Sequence, residues 1–238
     1  MEKYAKLLGN VWHFRHLSVK DLLTIVNSGQ LKRYRADAVI FQESNPSAGM
    51  FVLFKGKVHL YRLSPSGQVQ ILSMIEPVIM FNEVTAIDGG PNPYAAVAVK
   101  DCLTWNISAE SFESLVQRYP DPVIGLAMLR VLAERTRGLI DLCEDLSFRS
   151  VIARVAKMIL DLSDGGKQPI DRHEHPIRIL SASIATVPET ISRTLRYLSD
   201  RGLIECTRRR ITVTKPEELR REAQVEPSLV NNDGPVVL

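Results

Sequence analysis

The chain has 238 residues, 45% of them apolar and 24% charged, three cysteines and a formal net charge of +3. That is the composition of a globular protein of one large or two small domains, and it excludes disorder throughout. No run of about 18 apolar residues is present to span a membrane, and the start, MEKYAKLLGNVWHFRHLS, has no apolar core or cleavage site of a secretory signal.

Cys102, Cys143 and Cys206 lie far apart without Cys-x-x-Cys spacing. They suit a reducing, cytoplasmic setting and argue against a disulfide framework or a zinc knot. The charge is unevenly spread. Residues 1–147 carry 15 basic and 15 acidic groups, whereas residues 148–221 carry 15 basic and 9 acidic. A neutral first part followed by a basic second part suggests that the second part meets a polyanion, such as double-stranded DNA. A solvated basic face is the alternative on charge alone.

In chain order, a short helix is expected over Val19–Asn27. From about Leu31 to Asn106 apolar segments (Gly49–Phe54, Lys57–Arg62, Val69–Met74, Tyr94–Val99) alternate with Lys55-Gly56, Ser64–Gly67 and Asp88–Pro93. Short strands with Gly/Pro punctuation predict an antiparallel sandwich or barrel. Ser108 is placed to cap a helix starting at Ala109 and ended by Pro120. From Asp121 to about Leu146 an apolar stripe runs through Ile124, Met128, Val131, Leu139, Leu142 and Leu146, with Arg135 in the same stripe. Such a helix spans roughly 37 Å. Its stripe is predicted to be a coiled-coil-like dimer seam, adjustable where Arg135 and Gly138 interrupt it. The alternative is burial of the helix against its own β domain.

A further amphipathic helix is expected over Phe148–Leu162, capped by Ser147 and stopped at Asp164–Gly166. His173 and His175 read as solvated loop residues, so no metal site is assigned. Residues 222–238 are expected to form a loose tail.

The segment Thr186–Asp200 carries the function. Thr186 and Glu189 have capping-box spacing, and Pro188 suits a first helical turn. At 100° per residue Val187, Ile191, Leu195 and Leu198 form a buried stripe, while Glu189, Ser192, Arg193 and Arg196 share the opposite face. Arg forks onto guanine, Glu accepts from cytosine and Ser bonds base or phosphate, so this face has the chemistry to read a major groove. Glu189, Ser192 and Arg193 are the expected base readers, and Arg196 an expected phosphate contact. After Gly202 a hairpin is predicted with Arg208, Arg209 and Arg210 at its tip, where adjacent guanidinium groups become phosphate clamps beside a duplex.

With its spaced glycines, long central helix and the ending Pro-Glu-Thr-Ile-Ser-Arg-Thr-Leu…Gly-Leu-Ile, the chain resembles the Crp/Fnr family of bacterial transcription regulators from Phe14 to Leu219. The Glu-x-x-Ser-Arg arrangement is similar to the Fnr branch. The resemblance implies an α+β chain in four parts. They are an antiparallel, jelly-roll-like β-roll of the cyclic-nucleotide-binding type (1–108), a dimerisation helix (109–146), a winged helix-turn-helix (147–221) and the tail. It also implies a homodimer on a palindrome of TTGAT-type half-sites, with RNA polymerase as a further partner.

The sensor departs from known effector patterns. Phe81, Asn82, Glu83 and Tyr94 stand where the resemblance puts the effector pocket, but no arginine lies between Arg62 and Arg118 to hold a cyclic phosphate. Cyclic AMP is therefore not expected, and the amino-terminal cysteines of an iron–sulfur sensor are missing. The stretch from Phe81 to Ala95 resembles the haem-dependent, nitric-oxide-responsive regulators of denitrification. A haem would take His13, His16 or His59 as axial ligand; a member with no effector is the other reading. An enzyme is not expected, because His59 is the only histidine between residues 17 and 172. The rival to a DNA regulator is a ligand-binding or scaffold protein whose winged helix contacts protein. It is motivated by a first helix of the helix-turn-helix shortened by about one turn between Ile179 and Glu189.

Overall fold

A computed structural model describes residues 1–11, 14, 17–118 and 122–225. The chain divides into two compact units, one of residues 1–62 and 72–138, the other of residues 63–71 and 139 onward.

The first unit opens with α1 (Glu2–Leu8) and α2 (Val19–Asn27), the latter capped by the Ser18 side chain on the Asp21 N–H. Eight strands follow: β1 (Gln30–Tyr34), β2 (Val39–Phe41), β3 (Met50–Lys55), β4 (Val58–Leu63), β5 (Val69–Ile75), β6 (Ile79–Phe81), β7 (Ala95–Ala98) and β8 (Cys102–Ile107). They form two four-stranded sheets, ordered β1-β8-β3-β6 and β2-β7-β4-β5, and the paired strands are antiparallel. Three helices complete the series: α3 (Glu83–Asp88) between β6 and β7, then α4 (Ala109–Arg118) and α5 (Pro122–Phe148).

The uninterrupted apolar run of β3 follows from its place in the layers. Phe51 and Leu53 point into a core with Phe41, Leu60 and Phe81, while Met50, Val52 and Phe54 point into a second core with α1, α2, α4 and α5. A strand buried on both faces cannot alternate apolar with polar. Each of these side chains contributes about 1.5–3 kcal/mol by burial, so a single Phe51→Ala change leaves a cavity costing about 3–5 kcal/mol. Trp105, fully buried in the second core, donates its indole N–H to the Val26 carbonyl at 3.0 Å and so ties α2 to the sheet. Gly49 has φ +80° and its missing Cβ would run into the Ile107 carbonyl, so β3 can enter the sheet only through a glycine.

The second unit contains α6 (Val151–Leu162), β9 (Ile170–Asp171), α7 (Ile177–Ser183), α8 (Pro188–Asp200), β10 (Ile204–Cys206), β11 (Arg210–Val213) and α9 (Pro216–Glu222). Its three strands pair antiparallel in the order β10-β11-β9. Ile159, Leu180, Ile191, Leu195, Leu198, Ile211 and Leu219 meet in one core. Lys157 of α6 pairs with Asp145 of α5 at 2.6 Å, and Arg149 pairs with the same carboxylate.

Three local expectations are corrected. The helix expected from Phe148 starts at Val151, and its cap is Ser150, which accepts from the Ala153 N–H at 3.2 Å, rather than Ser147. The cause is that α5 runs on through Phe148 and takes Ser147 into its last turn. Thr186 is not the cap of α8; Val187 is, and α8 has no side-chain cap. The expected tail is ordered at its start: Ala223 is fully buried and Val225 packs on the core, while residues 226–238 lie outside those described.

Candidate DNA interface and sensor cassette

Helix α8 follows α7 after a four-residue turn in which Ala185 adopts φ +52° and the Thr186 N–H donates to the Ser181 carbonyl at 3.0 Å. The seven-residue α7 is short, as its sequence indicates, yet Leu180 and Ile184 still seat it on the common core. The burial of Ile191, Thr194, Leu195 and Leu198 fixes the roll of α8 about its axis, whereas Val187, expected in the same buried stripe, is 41% exposed because it stands before the first turn as the cap residue. Glu189, Ser192, Arg193 and Arg196 are consequently all exposed. Ser192 donates back to the Pro188 carbonyl at 3.0 Å, which uses its donor and keeps its acceptor capacity.

The wing turn is built by Thr207. Its N–H donates to the Arg210 carbonyl at 2.9 Å, and its hydroxyl accepts from the Arg210 N–H at 3.1 Å. Arg208, Arg209 and Arg210 are exposed there, with Arg210 opposite Asp171 of β9 in the sheet register. Among the described residues the charged groups of Glu189, Arg193, Arg196, Arg208 and Arg209 make no ion pair. The sequence reading missed Arg172, whose guanidinium donates to the Thr207 carbonyl at 2.8 Å and adds a fourth cation beside the wing. The signal available was a lone Arg next to the two-residue strand β9, too short to recognise as a strand.

The sensor residues come together around β6 and α3. Phe81 is a core side chain, stacked on Phe51 at 5.1 Å and near Phe41 at 6.2 Å, rather than the lining of an opening. Tyr94 joins them 6.1 Å from Phe41, and its hydroxyl accepts the Asn82 N–H at 3.0 Å. Burial first, then the nearby Glu83 carboxylate, push the Tyr94 hydroxyl well above its ordinary value. Asn82 is fully buried in a left-handed turn (φ +61°), its amide nitrogen 2.9 Å from the Gly49 carbonyl and 3.0 Å from the Asn92 side-chain oxygen. Asn92, itself buried, bonds onward to Gln42, Pro46 and Ala48.

Glu83 is 2% exposed and lies 3.2 Å from Arg135 of α5, whose guanidinium also donates to the Met80 carbonyl at 3.1 Å. The second Glu83 oxygen has no partner among the described residues. A guanidinium therefore does stand at the cassette, although none is encoded near it; it arrives from a helix 52 positions along the chain.

This contact also corrects part of the expected seam. Met128 and Val131 are buried in the core of their own unit and Arg135 is paired with its own Glu83, so these residues face inward within one chain. Leu139 is 57% exposed, Leu142 half-buried, and the side chain of Ile124 lies outside those described. On the other side of α5, positions 126, 129, 133, 136, 140, 143 and 147 alternate spacings of three and four. Leu126, Leu129 and Ile140 among them are 48%, 63% and 60% exposed. His59 is buried in β4, and His13 and His16 lie outside the described residues. No group of three metal-ligating side chains forms among the described residues, and no described helix is long and apolar enough to cross a membrane.

Residues 31–119 match the cyclic nucleotide-binding domain family, and residues 153–222 match the Crp-like helix-turn-helix domain family. The chain is a Crp/Fnr-family transcription regulator. The regulator is similar to the CRP-like cAMP-activated global transcriptional regulator of Mycobacterium tuberculosis, at 27% identity over 78% of this chain and 84% of that relative. It is also similar to the cyclic AMP receptor protein of Thermus thermophilus, at 29% identity over 80% and 87%. Among solved structures, the c-di-GMP responsive global regulator CLP of Xanthomonas campestris has the same fold, with TM-score 0.71 at 18% identity over 82% of this chain and 99% of that one. The β-roll of the regulator is thus a cyclic-nucleotide-binding-type domain, and its second unit a DNA-binding helix-turn-helix.

Proposed function

We propose that the regulator acts in the cytoplasm as a homodimer that reads a palindrome of TTGAT-type half-sites through α8. Glu189, Ser192 and Arg193 address base edges, while Arg196, Arg208, Arg209 and Arg210 hold phosphates. The observation that carries this reading is the exposed, unpaired Glu189/Arg193 face, held outward by the buried Ile191, Leu195 and Leu198. Unpaired cations beside a groove gain counterion release when a duplex docks.

The dimer is proposed to form along Leu126, Leu129, Ala133, Thr136, Ile140 and Cys143, a three-four heptad register with Leu139 and Leu146 beside it. A helix of 27 residues, about 40 Å long, supplies ample length for that seam.

Control through the β-roll is proposed to use an effector other than cyclic AMP, or none. Two named relatives are cAMP-activated or cyclic AMP receptors. Here Glu83 is already committed to Arg135, and that guanidinium is neutralised by the same pair. A cyclic phosphate entering the cassette would meet Phe81 and Tyr94 with no free cation among the cassette residues described, an uncompensated burial of charge. The test is a mobility shift of the full chain on a TTGAT palindrome against a scrambled duplex, without added effector. Preferential retardation of the palindrome is expected; equal binding to both would show a phosphate contact without sequence reading, and no binding would leave the winged helix to contact protein instead.

A further inference from the structure

Among the described residues from Arg149 to Val225, one large hydrophobic side chain is left exposed: Val187, at 41%. Apart from Ile179, which is half-buried, the large apolar residues of that segment lie in or against the core. Val187 is not part of that core, and it is the residue from which α8 starts. Its backbone is extended (φ −102°, ψ +153°) and its side chain caps nothing.

Both facts run against local stability. A helix start leaves orphan N–H groups that Ser, Thr, Asp or Asn at this position would satisfy, and a valine cannot. An isopropyl group left 41% exposed also forgoes part of the gain from burial. An uncapped helix start that also leaves a valine partly in water is the combination expected where a partner covers the side chain.

The surroundings indicate which role. Val187 is followed by Pro188 and lies two residues before Glu189, at the end of α8 that a helix-turn-helix inserts toward base edges. Along the major groove the base edges are donors and acceptors, with one apolar group, the C5 methyl of thymine. We infer that Val187 is a specificity-determining residue that covers a thymine methyl in each half-site. This inference rests on the DNA-reading proposed above and adds a thymine-specific contact to it.

The full-length protein is first used to select duplexes from a random-sequence pool. Each thymine of the selected half-site is then replaced by uracil, which deletes only the methyl. Affinities are measured by fluorescence anisotropy for wild type and Val187→Ser. At one thymine per half-site, uracil weakens the wild type about fourfold per half-site, as expected for one buried methyl-sized group. At that position Val187→Ser binds the thymine and uracil duplexes alike. Its unfolding midpoint is not lowered, because serine supplies the missing cap. Identical uracil profiles for the two proteins, or no sensitive thymine in the wild type, overturn the inference while leaving DNA reading in place. A selection that enriches no sequence overturns the DNA reading itself, and the Val187 contact with it.

Discussion

Replacing Arg135 by Met tests whether α5 is locked to the sensor cassette by a buried ion pair. The Glu83 side chain is 3% exposed and that of Arg135 25%. Without the guanidinium, the Glu83 carboxyl group is left in the interior with neither oxygen partnered, and the Met80 carbonyl loses a donor. Breaking a buried pair from one side costs about 3–5 kcal/mol. The partial exposure of Arg135 puts the expected loss at the lower end, about 3 kcal/mol. Glu83→Gln removes the charge instead and keeps a polar head, so about 1 kcal/mol is expected. The double variant Glu83→Gln/Arg135→Met is expected to lose about 2 kcal/mol less than the sum of the single losses, because no buried charge is then stranded. Urea unfolding followed by the fluorescence of the buried Trp105, in a Trp12→Phe background, reports the first unit, where both Glu83 and Arg135 lie. A loss below about 1 kcal/mol for Arg135→Met, with additive effects in the double variant, would show a solvent-screened pair. It would refute the lock.

Three further outcomes are expected. Millimolar cyclic AMP leaves the melting midpoint unchanged, whereas a ligand at 100 times its dissociation constant would add about 2.7 kcal/mol of stability and visibly raise it. Ile140→Arg sets paired charges into the heptad face and yields a monomer in sedimentation equilibrium, while Leu142→Arg, off that face, keeps the dimer; the reverse pattern would return the seam to the Leu142 stripe. The raised Tyr94 hydroxyl leaves the first unit fully stable below the ordinary tyrosine value of 10.0 and costs it stability as pH rises above that, because the unfolded chain ionises there and the folded chain does not. Tyr94→Phe flattens this alkaline decline in urea titrations; an unchanged slope would contradict the assignment, with Tyr34, also raised by burial, supplying what remains.

The parts of the fold legible in the sequence are those where one periodicity has one interpretation. Helix α2 falls on Val19–Asn27 as expected, and α8 exposes Glu189, Ser192, Arg193 and Arg196 because Ile191, Leu195 and Leu198 leave a single way to bury it. Helix α5 defeats the same logic because it carries two apolar stripes. Periodicity finds both, but only the placement of the β-roll shows that Met128 and Val131 face it and that Leu126, Leu129 and Ile140 do not. The Thr186–Glu189 spacing fits a capping box, yet the turn at Ala185 moves the helix start one residue on, to Val187. At the cassette, a search for arginine within the local segment could not find Arg135, since only the tertiary fold brings it to Glu83. Asn92 likewise reads as a turn residue in Asp88–Pro93, whereas its side chain braces Asn82 and the chain around Ala48.

The central claim is that α8 reads sequence while the wing holds the backbone, and comparing Arg193→Ala with Arg209→Ala tests it most directly. Both side chains are exposed, so neither change disturbs a core. Affinity is measured on the cognate palindrome and a scrambled duplex at several salt concentrations. Arg193→Ala is predicted to cost about 1–3 kcal/mol on the palindrome alone and to flatten discrimination at one base position. Arg209→Ala is predicted to weaken both duplexes alike and to lower the slope of log affinity against log salt by about one per protomer. Equal weakening of both duplexes by Arg193→Ala would make Arg193 a phosphate contact and contradict the docking of α8 in the groove.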